Sequence, residues 1–139
     1  MLDNTIVLVD DDEADRLIIK QAIDQTKIKS KFISFNRGED FLSYMSEIEN
    51  NSILVLLDLN MPKISGKEIL KRLTDQQIKN RIIIILTTSN NKDDINFCYN
   101  AGVKSFITKP SDLNSYNKMI KNITTYWFDD ILKFPINIK

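Results

Sequence analysis

Histidine is absent from this chain, and cysteine, glycine and proline are scarce. Without imidazole there is no Ser-His triad, no histidine metal ligand and no phosphohistidine on the chain itself. The single cysteine, Cys98, rules out an internal disulfide and suits a reducing, cytoplasmic setting. Only three glycines occur, and they form neither a P-loop nor a Gly-x-Gly-x-x-Gly turn. Neither sign of charge is in excess. The 19 basic residues balance 19 acidic ones, so no broad basic field invites nucleic acid. The apolar run nearest the amino terminus, Ile6-Val7-Leu8-Val9, is too short for a signal peptide or a membrane span. A length of 139 residues suits one domain with room for a real core.

What the chain does have is a set of short apolar runs that stop on polar residues. Ile53-Leu54-Val55-Leu56-Leu57 ends at Asp58, and Pro62 and Gly66 then mark a tight loop. A run this short and this apolar reads as a strand buried on both faces. Ile6–Val9 ends at Asp10-Asp11-Asp12-Glu13, and Ile82–Leu86 ends at Thr87. Phe32–Phe35 and Ser105–Thr108 are weaker strands, the second closed by Lys109-Pro110. Helical spacing follows each strand: Leu17, Ile18, Ala22 and Ile23; then Phe41, Leu42, Met45 and Ile48; then Ile69, Leu70 and Leu73. A fourth helix carries Ile95, Cys98 and Ala101, with Ser89 or Asn90 as its cap. A fifth carries Leu113, Tyr116, Ile120, Ile123 and Trp127, capped by Ser111 or Asp112.

Five strands alternating with five helices predict an α/β fold, a doubly wound parallel sheet with helices on both faces. The first, third and fourth strands are the most apolar and belong in the centre. That matches the flavodoxin-like (βα)5 order 2-1-3-4-5, with its switch point between strands one and three. Asp10, Asp11 and Asp58 then meet at one crevice, with Thr87 and Lys109 on the same carboxyl edge.

Two unit charges ~4 Å apart repel by about 4 kcal/mol at an effective dielectric of 20, so this cluster needs positive charge. Lys109 supplies one, and a divalent cation supplies the remainder. The donors are hard oxygens, which suit Mg²⁺ and argue against zinc. The pattern predicts a phosphoryl-transfer site, with Asp58 as nucleophile, the metal and Lys109 on the phosphoryl oxygens, and Thr87 as a hydrogen-bond donor. Singly, each residue has a plainer reading. The acidic run suits a helix start, Lys109 a surface position, Thr87 a strand end and Phe106 the core. Their placement at the ends of successive strands is what carries the functional reading.

The pieces Val9-Asp10-Asp11, Leu57-Asp58-Leu59-Asn60-Met61-Pro62 with Gly66, Leu86-Thr87 and Phe106-Ile107-Thr108-Lys109-Pro110 together resemble the CheY-like receiver domain of response regulators, over roughly residues 4–128. The resemblance implies two-component signalling, with Asp58 phosphorylated by a sensor histidine kinase or a histidine phosphotransfer protein. It implies Mg²⁺, or Mn²⁺ in its place, on Asp11, Asp58 and the backbone carbonyl of Asn60, with Asp10 acting through water. Thr87 and Phe106 correspond to the switch pair, Phe106 lacking the hydroxyl of the Tyr common at that position. Lys109 corresponds to the phosphate-contacting lysine, followed by a cis bond to Pro110. Receivers of this kind assist their own phosphorylation and dephosphorylation without being enzymes in the ordinary sense. Leu86-Thr87-Thr88-Ser89 and Tyr126-Trp127 are more narrowly similar to stand-alone receivers associated with phytochrome-type kinases.

The expected division is a receiver over residues 1–128 and an apolar extension over residues 129–139. No output domain is expected after it, so signalling runs through a downstream protein target or an onward phosphorelay. No nucleic-acid or membrane partner is expected. Phe128, Ile131, Leu132, Phe134, Ile136 and Ile138 are too apolar for a solvated tail. They point to a homodimer through the fourth helix, fifth strand, fifth helix and tail, against the alternative of a tail folded on its own domain. Two other functions fit parts of the pattern. One is a partner-binding pseudo-receiver, which the intact acids and Lys109 oppose. The other is a haloacid dehalogenase-type phosphatase, for which Asp10-x-Asp12 fits but Asp129-Asp130 falls too late in the chain.

Overall fold

The three most apolar runs form strands buried along their whole length: β1 (Thr5–Val9), β3 (Ile53–Leu57) and β4 (Ile82–Thr87). Two half-exposed strands, β2 (Lys31–Phe35) and β5 (Ser105–Thr108), complete one parallel sheet in the order β2-β1-β3-β4-β5. The computed structural model that shows this describes residues 4–49 and 52–128. The expected apolar extension lies outside the described residues.

The register is unbroken at the centre, with Val9 of β1 paired to Leu57 of β3. Successive residues of a strand face opposite sides, and each side has its own core. Val7, Val9, Val55, Leu57, Ile83 and Ile85 pack under one layer of helices. That layer comprises α2 (Gly38–Glu47), α3 (Gly66–Arg72), α4 (Asp75–Lys79) and α5 (Lys92–Ala101). Ile6, Leu8, Leu54, Leu56, Ile82, Ile84 and Leu86 pack on the other side under α1 (Glu13–Gln25) and α6 (Leu113–Phe128). Two apolar cores explain why the central runs show no alternation. Burying each Leu or Ile is worth roughly 1.5–3 kcal/mol, so the centre of the sheet is a rigid base for its carboxyl edge.

Several local expectations need correction. The helical segment after β3 is two helices rather than one, so the described residues hold six helices and not five. At Leu73 the backbone turns extended, and Thr74 starts α4 with a capping box, its hydroxyl accepting the Gln77 N–H while the Gln77 side chain accepts the Thr74 N–H. Asn91 caps α5, in place of Ser89 or Asn90. Asp112 does cap α6, accepting the Ser115 N–H at 2.8 Å. Leu17 and Leu113 lie outside the core, each 59% exposed, and Ile19 takes the inward position on α1. The Lys109–Pro110 peptide is trans, the isomer favoured by about 0.5–1 kcal/mol before any tertiary contact acts. The lysine reaches the crevice without the cis turn.

Candidate functional site

The carboxyl edge of the sheet gathers the predicted residues. Asp10 follows β1, and its N–H donates to the Phe35 carbonyl across the sheet at 3.0 Å. Asp58 follows β3, its N–H donating to the Val9 carbonyl at 3.0 Å. These bonds continue the ladder by one step past the strands, so both carboxylates stand on fixed backbone. Asp10 is 1% exposed and Asp58 5%, while Asp11 is open to solvent. One carboxylate oxygen from each of Asp10, Asp11 and Asp58 lies within 4.8 Å of the others.

Lys109 enters from the end of β5, where its N–H donates to the Thr87 carbonyl at 2.8 Å. Its side chain is 7% exposed, and Nζ meets three carboxylates: Asp15 Oδ2 at 2.7 Å, Asp10 Oδ2 at 2.9 Å and Asp58 Oδ2 at 3.3 Å. Burial pulls the ammonium down, but Asp15, Asp10 and Asp58 outweigh it and hold its pKa above the usual lysine range. Burial likewise pushes the Asp10 carboxyl up, against the pull of Lys109.

Thr87 is fully buried at the end of β4, and its Oγ1 accepts a long 3.5 Å bond from the Asn60 side-chain amide. The Asn60 N–H donates to Asp58 Oδ1 at 3.3 Å. Asn60 therefore bridges the acid and the hydroxyl. Phe106 in β5 is half-buried against the α2–α5 core. Its N–H donates to the Tyr99 hydroxyl of α5 at 3.1 Å, so the side chain of one element ties down the backbone of the next.

Three roles were not apparent from the sequence. Asp15 belongs to the site although it lies on α1. Asp12, in the middle of the acidic run, is the α1 cap and accepts the Asp15 N–H at 3.1 Å. Tyr99 contacts the Phe106 backbone from α5. An acid in the first turn of a helix is ordinary, so the residue type at Asp15 gives no sign of its partner at the end of β5.

The cluster suits a divalent cation. Its donors are carboxylate oxygens, the preference of hard ions. Asp10 Oδ2 is buried, and its charge is met by the Lys109 ammonium at 2.9 Å with no further hydrogen-bond donor on it. A buried acceptor left in this state retains a lone pair for a metal or a metal-bound water.

A sheet of this order, with acids, a hydroxyl and a lysine on its carboxyl edge, defines a CheY-like receiver. The chain belongs to the response regulator receiver domain family, whose model matches residues 6–121, and is a protein of two-component signalling. It is 33% identical over 132 residues to the response regulator Rcp1 of Synechocystis, covering 91% of this chain and 90% of that one. The structure of the Mn²⁺-bound form of Rcp1 superposes with a TM-score of 0.81 at 28% identity, covering 96% of this chain and 99% of that one. That of the phosphorylated cyanobacterial phytochrome response regulator RcpA gives 0.79 at 29% identity, covering 97% and 100%. Receiver domains work between sensor histidine kinases and downstream targets. No helix among the described residues is long and apolar enough to cross a membrane.

Proposed function

We propose that Asp58 is the phosphoacceptor of this receiver. The observation that carries the reading is the convergence on Asp58 of two further acids within 4.8 Å and of the Lys109 ammonium at 3.3 Å. The donor is a phosphohistidine on a sensor histidine kinase or a histidine phosphotransfer protein, and a cytoplasmic location goes with such a partner. An Asp58 carboxylate oxygen attacks phosphorus, the P–N bond breaks, and its electron pair returns to the imidazole. Lys109 neutralises charge on the transferred group, and Thr87 turns its hydroxyl toward it. Asp11, Asp58 and the Asn60 carbonyl would hold Mg²⁺ directly, with Asp10 acting through water. Bound there, the ion neutralises charge on the phosphoryl oxygens. Attack by water on the same phosphorus later releases phosphate and restores the carboxylate. The domain thus assists both steps while serving as a switch rather than as an enzyme.

Incubation with a radiolabelled small acyl phosphate and Mg²⁺ tests this. Wild type should take up base-labile label, and Asp58→Asn should take up none while melting normally. Full labelling of that variant would refute the assignment.

The signal leaves through the face built by α5, β5 and α6, because Thr87 and Phe106 connect it to the site. We also propose that this face pairs two copies of the chain. β5 is one edge of the sheet, and a groove of about 480 Å³ beside it is lined by Ile107, Ile123, Tyr126 and Trp127 together with the polar Lys104 and Asn122. Edges of this kind are natural pairing sites. The apolar sequence of residues 131–138 follows α6 in the chain.

A further inference from the structure

We propose that Asp15 is a positioning residue for Lys109, holding the ammonium on the α1 side of the crevice so that Asp58 and Asp10 keep their charge for a divalent cation. The proposal rests on the metal reading above and extends it to a residue outside the ligand set.

The argument begins with the helix start. Asp15 is the third residue of α1, after the Asp12 cap. A carboxylate at that position ordinarily folds back onto the N–H of the cap residue, the reciprocal half of a capping box. Here that N–H is already taken, because Asp12 N donates to Asp10 Oδ1 at 2.9 Å. The Asp15 carboxylate reaches instead across the crevice to Lys109, 94 residues away, at 2.7 Å. This is the shortest of the three contacts that the ammonium makes. The contact with Asp10 is longer at 2.9 Å, and the bond to Asp58 is longer still at 3.3 Å. Lys109 thus sits nearest the one carboxylate of the three that is not part of the acidic cluster.

Two consequences follow for a cation. The ammonium meets Asp10, Asp15 and Asp58, and Asp11 adds a fourth carboxylate beside Asp10 and Asp58, so the crevice retains net negative charge. Remove the charge of Asp15, and the ammonium has only Asp58 and Asp10 to bond. It would then compete with the metal for the same oxygens. The loss acts through Lys109, and this separates it from a general weakening of the local field.

The test is the affinity for Mn²⁺ alone, read from the electron paramagnetic resonance of the free ion, with no phosphodonor present. Asp15→Asn should weaken binding by at least about tenfold, the scale typical of losing a group that orients a metal site from outside. Asp15→Glu should keep most of the affinity, since it retains the charge. Lys109→Met should bind Mn²⁺ more tightly than wild type. Adding Asp15→Asn to Lys109→Met should change affinity much less than it does in wild type. Wild-type affinity in Asp15→Asn would overturn the proposal, and so would an equal loss in both backgrounds. Thermal melts without metal establish that each variant is folded. If Asp15→Asn fails to fold, the comparison of Asp15→Glu with wild type and with Lys109→Met decides. A tenfold loss in the Glu variant, or no gain in the Met variant, then overturns it. A wild-type protein that binds no Mn²⁺ would overturn the metal reading and this proposal together, whereas normal wild-type binding with an unaffected Asn variant overturns this proposal alone.

Discussion

Gly66 rests against the backbone of Asp58 so closely that a Cβ on it would stand 2.5 Å from the Asp58 carbonyl oxygen and 2.8 Å from Leu59 Cα. The contact is to backbone, which has no flexible end to move aside. The Gly66 N–H also donates to the Leu59 carbonyl at 3.0 Å, closing the loop that begins at Asp58. Gly66→Ala should therefore push the loop away from its acid. We expect a loss of about 1–3 kcal/mol, the usual cost of overpacking, measured as a lower urea midpoint at unchanged slope. A midpoint equal to wild type would mean the loop yields freely.

Thr87 is buried and hydrogen-bonded by Asn60, it pairs across the sheet with Thr108 of β5, and its carbonyl accepts the Lys109 N–H at the end of that strand. Thr87→Ala removes the hydroxyl that can follow a phosphoryl group, but leaves Asp58 and the acids in place. The variant should still accept phosphate, while partner binding no longer rises on phosphorylation. Binding assays with and without beryllofluoride check this. An equal rise in wild type and variant would exclude the route through Thr87.

Pairing of two copies is checked by sedimentation. Full-length protein should dimerise, more strongly with beryllofluoride and Mg²⁺, and a chain ending at Phe128 should pair less. A full-length monomer in both states at high micromolar concentration would exclude the dimer.

Cys98 is fully buried on α5. Burial pushes its thiol up to about 11, the Asp94 charge adding to the shift and Lys67 opposing it. Below pH 9 the thiol is protonated in the folded and unfolded chain alike and leaves stability unchanged. Between pH 9 and about 11 the unfolded thiol ionises while the folded one does not, so stability falls as pH rises. At ~1.36 kcal/mol per unit, the loss approaches about 2–3 kcal/mol by the upper end. Below that window a disulfide reagent should label the folded protein only as fast as it opens. Stoichiometric labelling within seconds at pH 8 in native buffer would contradict the burial.

The sheet and most of its site are legible in the sequence because their signals are contiguous. Ile53–Leu57 and Ile82–Leu86 are buried on both faces and so are apolar without interruption, and each ends on the polar residue that matters. Asp10, Asp58, Thr87 and Lys109 could be placed on one edge from chain order alone. What stayed hidden depends on direction and not on type. Asp15 reads as an acid favoured by the helix dipole, and nothing local shows that its cap partner is already occupied. Leu17 and Leu113 have helical spacing but fall on the outer side of the stripe. The division between α3 and α4 was written in Thr74-x-x-Gln77, a capping signature that the apolar spacing of Ile69, Leu70 and Leu73 overshadowed.

The lysine that balances the crevice is also the last of its residues to be made. Asp10, Asp11, Asp15 and Asp58 all precede Lys109, Asp58 by 51 positions. At about 5–20 residues per second, a ribosome needs roughly 3–10 s to add that stretch. During this interval the emerging chain carries the acidic cluster and Arg16, whose guanidinium donates to the Asp10 carbonyl, but not the ammonium that meets Asp10, Asp15 and Asp58. Cations of the surrounding fluid are then the neutralising agents at hand. The ammonium arrives only after the final strand, so a translation product ending before β5 would hold the acids and Thr87 without the lysine that meets Asp10, Asp15 and Asp58.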